Sequence, residues 1–113
     1  MTLPTVERQL YNWVCQYGLK GEMSLDNSYI VHFNNPRIFG AAISYDLTNH
    51  QLHYSTDHRM SENALVFNLN NYFVCEETIP DCVFDSLINN IKLAKEFKSK
   101  LKLNEIEKDF KNG

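Results

Sequence analysis

The sequence predicts an α+β fold: an N-terminal helix, an antiparallel sheet of four or five strands running as a meander, and a long C-terminal helix, arranged as two layers with both helices on one sheet face. Three observations predict it. Apolar residues recur at three- and four-residue steps at both ends of the chain, they fall on every second position through the middle, and turn-forming residues separate these segments.

In the first segment Leu3, Val6, Leu10, Trp13, Val14 and Tyr17 form the stripe of an amphipathic helix, capped by Thr2 or Thr5 and ended by Gly18 at the C′ position. Trp13 is the expected anchor of this helix on the sheet. Gly21 to Leu25 is a short strand or a loop, and Asp26-Asn27-Ser28 is a turn. Tyr29, Val31 and Phe33 then alternate with Ile30 and His32 as a half-buried strand does.

The strongest strand signal is RIFGAAISYDLTNHQLHYST, Arg37 to Thr56. Phe39, Ala41, Ile43, Tyr45 and Leu47 alternate with polar or small residues, and Leu52, Tyr54 and Thr56 alternate with Gln51, His53 and Ser55. With Asn49-His50 as a two-residue turn, Leu47 faces Leu52 and Tyr45 faces Tyr54, and Asp46 and His53 become cross-strand neighbours on the opposite face. The loop 34–38 sets Phe33 against Phe39 and Val31 against Ala41. Residues 57–63 are polar and read as a loop. Ala64 to Glu76 reads as a strand broken at Asn70-Asn71, with a short helix from Ser61 through Leu69 as the alternative.

Thr78 is the expected cap of the long helix, with Pro80 in its first turn and Asp81 and Asp85 near its positive end. Val83, Phe84, Leu87, Ile88, Ile91, Ala94, Phe97 and Leu101 make one stripe, and Lys92, Lys95, Lys98, Lys100 and Lys102 gather toward the other end. Leu103, Ile106 and Phe110 continue the helix or form a separate turn, and the last few residues are expected to fray.

At 113 residues and 13.2 kDa, with 43% apolar residues, the chain is expected to form a single domain spanning 1–113 that needs neither metal nor disulfide. It carries no signal-peptide pattern and no 18-residue apolar run, so a cytoplasmic, non-membrane protein is expected. Cys15, Cys75 and Cys82 are expected as buried thiols in a reducing compartment. A net charge of −3 argues against nucleic acid as the partner. The charge is uneven: residues 1–78 hold four Lys/Arg against eight Asp/Glu, and 79–113 hold seven Lys against six Asp/Glu.

Four histidines raise metal binding, but His50, His53 and His58 lack the spacing that converges on one side of an element, and no cofactor or metal is expected. Asp46 and His53, with Ser44 or Ser55 beside them, are the sharpest catalytic arrangement; a solvated surface pair is the commoner meaning. The outer sheet face weighs more. His32, Asp46, His53, Ser55 and Tyr72 are the candidate partner-binding residues there, on a mixed polar surface also holding Ile30 and Ser44.

These features favour a noncatalytic protein-binding module: a small acidic bacterial or phage accessory protein, monomer or homodimer, acting as an inhibitor or immunity protein on another protein with a basic surface. An acidic assembly or secretion chaperone that dimerises, and a small enzyme using Asp46 and His53 in a pocket, are the alternatives.

Overall fold

The computed structural model describes the backbone of residues 5–112 and the side chains of 6–103. Leu3 and Thr2, and the side chains of Thr5, Ile106 and Phe110, on which the stripe, cap and C-terminal expectations also drew, lie outside the described residues.

Among the described residues the first element is helix α1 (Thr5–Tyr17) and the last is helix α2 (Asp81–Asn112). Between them run β1 (Lys20–Met23), β2 (Ser28–His32), β3 (Ile38–Phe39), β4 (Ile43–Asp46), β5 (Gln51–Tyr54), β6 (Asp57–Met60), β7 (Leu65–Asn68) and β8 (Asn71–Val74). Strands β1-β2-β4-β5-β8 form a five-stranded antiparallel sheet, the meander-like sheet expected, and a three-stranded sheet β3-β7-β6 accompanies it.

The α1 stripe buries Val6 and Leu10. Gly18, at φ 65°, closes the helix as a Schellman cap: the Leu19 N–H bonds the Val14 carbonyl at 3.0 Å. Trp13, the expected anchor, is half-buried against the common core, which includes the sheet. Its ring packs on Phe84 of α2 at 5.2 Å, so it ties helix to helix. The turn after β1 places Asn27 at φ 65°, a conformation that Asn tolerates. Gly21 in β1 leaves room for the Tyr29 ring of β2, which lies where a Cβ would stand.

Two registers differ from expectation by two residues. Tyr45 faces Leu52 and Ile43 faces Tyr54, while Val31 faces Ile43 and Tyr29 faces Tyr45. An even shift keeps each side chain on its face, so the core assignment of Val31, Ile43, Tyr45, Leu52 and Tyr54 survives, whereas Ala42 rather than Ala41 is buried. For the β4–β5 pair the cause lies in the loop that joins them. Asp46 accepts hydrogen bonds from the Thr48 and Asn49 amides at 2.9 and 3.2 Å and from the Asn49 side chain at 2.9 Å, building a four-residue loop 47–50 in which only His50, at φ 56°, has positive φ.

The expected unbroken strand from Phe39 to Leu47 is also corrected. Gly40, at φ 81°, passes so close to the Phe67 carbonyl that a side chain has no room there. The alternation slips phase at this point. Ile38 is buried and Phe39 is 52% exposed, whereas Ile43 and Tyr45 beyond the break are buried. Phe39 therefore faces solvent, and β3 pairs parallel with β7 instead of continuing into β4.

Residues 57–60, read as loop, form β6 at the edge of the second sheet, where a strand needs no apolar alternation. The stretch 64–76 is strand, as favoured, and its break at Leu69–Asn70 separates β7 in one sheet from β8 in the other. Helix α2 starts at Asp81 rather than beside Thr78, with the Pro80 carbonyl accepting from the Val83 N–H at 3.0 Å.

One cluster of buried residues collects Val6 and Leu10 from α1, Val31, Ile43, Tyr45, Leu52 and Tyr54 from the large sheet, Ile38, Leu65 and Phe67 from the small one, and Val83, Leu87, Ala94 and Phe97 from α2. Phe67 stacks on Phe33 with centroids 5.0 Å apart, which seats the small sheet on the core. Asn90 is buried within the α2 stripe and donates from Nδ2 to the Ser55 carbonyl at 2.9 Å, fastening the helix to the end of β5. The backbone of α2 continues as helix through Asn112. The cysteine expectation holds only for Cys75, because Cys15 and Cys82 are exposed.

Candidate functional site

The helices cover one face of the five-stranded sheet and leave the other open. Pairing across the strands lines up Glu22, Ile30, Ser44, His53 and Tyr72 in one row spanning all five, from β1 to β8. A second row runs Ser28, Asp46, Gln51 and Val74. Even-numbered positions of β2, β4 and β8 and odd-numbered positions of β5 point outward because side chains alternate along a strand. Ile30, Ser44, Asp46, Gln51 and His53 are half-buried, and Tyr72 and Val74 are exposed.

Four of the five residues expected on this surface are on it. His32 lies beside the first row, where its Nε2 meets Glu22 Oε1 at 2.8 Å. His53 packs against Tyr72 in a tilted arrangement, with centroids 5.3 Å apart and an interplanar angle of 31°. Asp46 is half-buried in the second row, and its carboxyl is held below the usual carboxylate range by the Asn49 side-chain amide and the loop N–H groups. Ser55 is elsewhere: it is fully buried, its hydroxyl donates to the Asp57 carbonyl at 2.8 Å, and its own carbonyl serves Asn90. The physical reason is that β5 ends at Tyr54 and the chain turns inward to begin the second sheet, so the alternation that placed Ser55 outward stops one residue short.

The expected pairing of Asp46 with His53 does not form. Asp46 stands opposite Gln51, Ser44 stands opposite His53, and the Asp46 oxygens are engaged by the loop at 48–49. Without an orienting acceptor on His53 and with Ser55 buried, the arrangement lacks the nucleophile-base-orienter chain that acyl transfer uses. The histidines also diverge. His50 sits in the loop with Nδ1 3.2 Å from the Tyr45 hydroxyl, His53 is on the open face, and His58 is on the second sheet near Phe67. Among the described residues no three His, Cys, Asp or Glu side chains converge.

No family model, curated protein or solved structure matches the chain. The site therefore rests on its own geometry.

Two features escaped the sequence reading. One is a shallow recess of about 440 Å³ at the His32 end of the face, lined in part by Lys20, Glu22, His32, Asn34 and Phe39; it does not reach Asp46 or His53. It depends on the break at Gly40, which swings Phe39 outward, and the alternating pattern around Phe39 masks that break. The other is a polar clasp in the core: Tyr45 donates its hydroxyl proton to the Cys75 carbonyl at 2.9 Å, while His50 Nδ1 lies 3.2 Å from the Tyr45 hydroxyl oxygen. Burial, with the neighbouring Cys75 and Glu76, pushes the Tyr45 hydroxyl pKa up. No helix among the described residues is long and apolar enough to cross a membrane.

Proposed function

We propose that this protein is a noncatalytic binding module that uses the open face of its five-stranded sheet to occupy the surface of another protein, in the manner of a small inhibitor or immunity protein. The observation that carries the reading is the unbroken row Glu22, Ile30, Ser44, His53 and Tyr72, a mixed polar and apolar surface one residue deep across five strands. Such a surface suits recognition: the backbone beneath it is held by sheet hydrogen bonds, so few groups have to be ordered on docking. Tyr72 and His53, packed ring against ring, supply amphipathic contact area, and Tyr is a residue type enriched at interfaces. Eight acidic against four basic residues over positions 1–78 favour a target with a basic surface, through steering as much as affinity. A bacterial or phage setting, with the target in the cytoplasm, is part of the same proposal.

The test is capture from the native host with three baits: the unaltered protein, a Ser44→Arg variant that places a long cation in the middle of the row, and a Lys98→Glu variant on the exposed side of α2. The reading expects a partner that the unaltered and Lys98→Glu proteins hold and that Ser44→Arg weakens at least tenfold. Equal capture by all three baits rejects it.

A further inference from the structure

The geometry points to a second copy of this chain as the occupant of the free β8 edge, joined to it as an antiparallel strand across a twofold axis. The β8 strand ends the five-stranded sheet, so one side of its backbone has no strand partner among the described residues. Which groups are free follows from the inner side. The Cys75 N–H bonds the His50 carbonyl at 2.9 Å, and in an antiparallel ladder alternate residues bond the same neighbour. Phe73 and Asn71 therefore face β5, and the N–H and C=O groups of Tyr72 and Val74 face outward.

The other sheet edges carry the devices that discourage strand addition. The β1 edge has Lys20 and Glu22, β6 has Asp57, His58 and Arg59, and β3 is two residues long. In contrast β8, Asn-Tyr-Phe-Val, has no charge and no proline, and it exposes Tyr72 (59%), Phe73 (37%) and Val74 (66%).

Its sequence is complementary to itself. With Tyr72 paired to Val74 of the other copy, both outward backbone pairs of each strand are used, four hydrogen bonds in all by the antiparallel rule. An aromatic residue then meets a β-branched one on the outer face, and the two Phe73 rings meet on the core side, beside Tyr54, on which Phe73 already stacks at 5.7 Å. Charge permits this register, because Glu76 and Glu77 fall opposite Asn70 and Leu69 of the other copy rather than opposite each other. The exposed parts of these side chains offer on the order of 300 Å² per copy, below the ~800 Å² per partner of a stable complex. The dimer is accordingly weak, at the low end of interface size. It joins two open faces into one ten-stranded surface, and it stands whether or not a different protein binds that face.

Sedimentation equilibrium of the whole chain in reducing buffer, over about 10 μM to 1 mM, tests this. The average mass should climb from 13.2 kDa toward twice that value. Val74→Pro removes an outward N–H without touching the inner ladder and should hold the mass at the monomer value, with the circular dichroism spectrum unchanged. Tyr72→Lys with Val74→Lys puts like charges opposite each other and should do the same should the proline variant misfold. Monomer at every concentration, or association that survives in a folded edge variant, overturns the inference. Concentration-dependent amide shifts should centre on Tyr72 and Val74; shifts confined to another surface also overturn it.

Discussion

Replacing Gly40 with alanine separates the two-sheet architecture from an unbroken strand over 39–47. In an extended strand the change would be neutral or stabilising by about 0.5–1 kcal/mol, because glycine loses more backbone entropy than alanine. In the structure it does two unfavourable things. It places a Cβ at φ 81°, which costs about 1–2 kcal/mol, and it drives that Cβ into the Phe67 backbone of β7, which cannot rotate away as a side chain would. The second effect costs about 1–3 kcal/mol, for a total of about 2–5 kcal/mol. Gly18→Ala is the internal control: Gly18 also has positive φ, at 65°, but nothing stands within 4 Å of its would-be Cβ. Both variants share the backbone penalty and the unfolded-state entropy change, so their difference isolates the clash. With a urea slope of roughly 1.5 kcal/mol per molar, the Gly40→Ala midpoint should fall about 0.7–2 M below that of Gly18→Ala. Equal midpoints, or a stabilised Gly40→Ala protein, would refute the close approach of β3 to β7.

Tyr45→Phe removes the donor to the buried Cys75 carbonyl and should lower stability by about 1–3 kcal/mol, seen as a fall in Tm of roughly 4–12 °C. The same variant tests the alkaline limb. Burial raises the Tyr45 pKa in the fold, so the neutral hydroxyl contributes fully below about pH 10, and the contribution is lost as pH rises through the higher folded value. Urea midpoints measured from about pH 9 to 11 should therefore fall less steeply in Tyr45→Phe than in the unaltered protein. Asn90→Ala leaves the Ser55 carbonyl buried without its donor and should cost about 1–3 kcal/mol by urea unfolding; a change below about 0.5 kcal/mol would mean water replaces the amide.

Much of the candidate face was legible before any coordinates. The alternation of Tyr29-Val31 and Ile43-Tyr45 with Ile30 and Ser44 decides which side of each strand is wet, and a register shift of two residues leaves that decision intact. Hence Ile30, His32, Ser44, Asp46, His53 and Tyr72 reach the open face even though the pairings differ from those expected. Ser55 does not, because it lies one residue past the end of β5, where alternation no longer applies. The Asp46 to His53 pairing failed for a local reason: a carboxylate at the start of a loop has nearer donors in that loop than on the next strand.

By itself the sequence determined what is periodic: two amphipathic helices, the buried side of β2, β4 and β5, and the glycine that ends α1. Periodicity reports how one element divides between water and core, and each element carries that information within its own residues. Only the tertiary structure decided which strand edge meets which. The parallel pairing of β3 with β7, the polar β6, the swing of Phe39 into solvent and the seat of Asn90 on Ser55 all depend on contacts between residues 27 to 35 positions apart or on an edge that needs no pattern. A hydrogen bond between distant backbones leaves no periodic trace in either partner, and so the second sheet stayed hidden until the chain was folded.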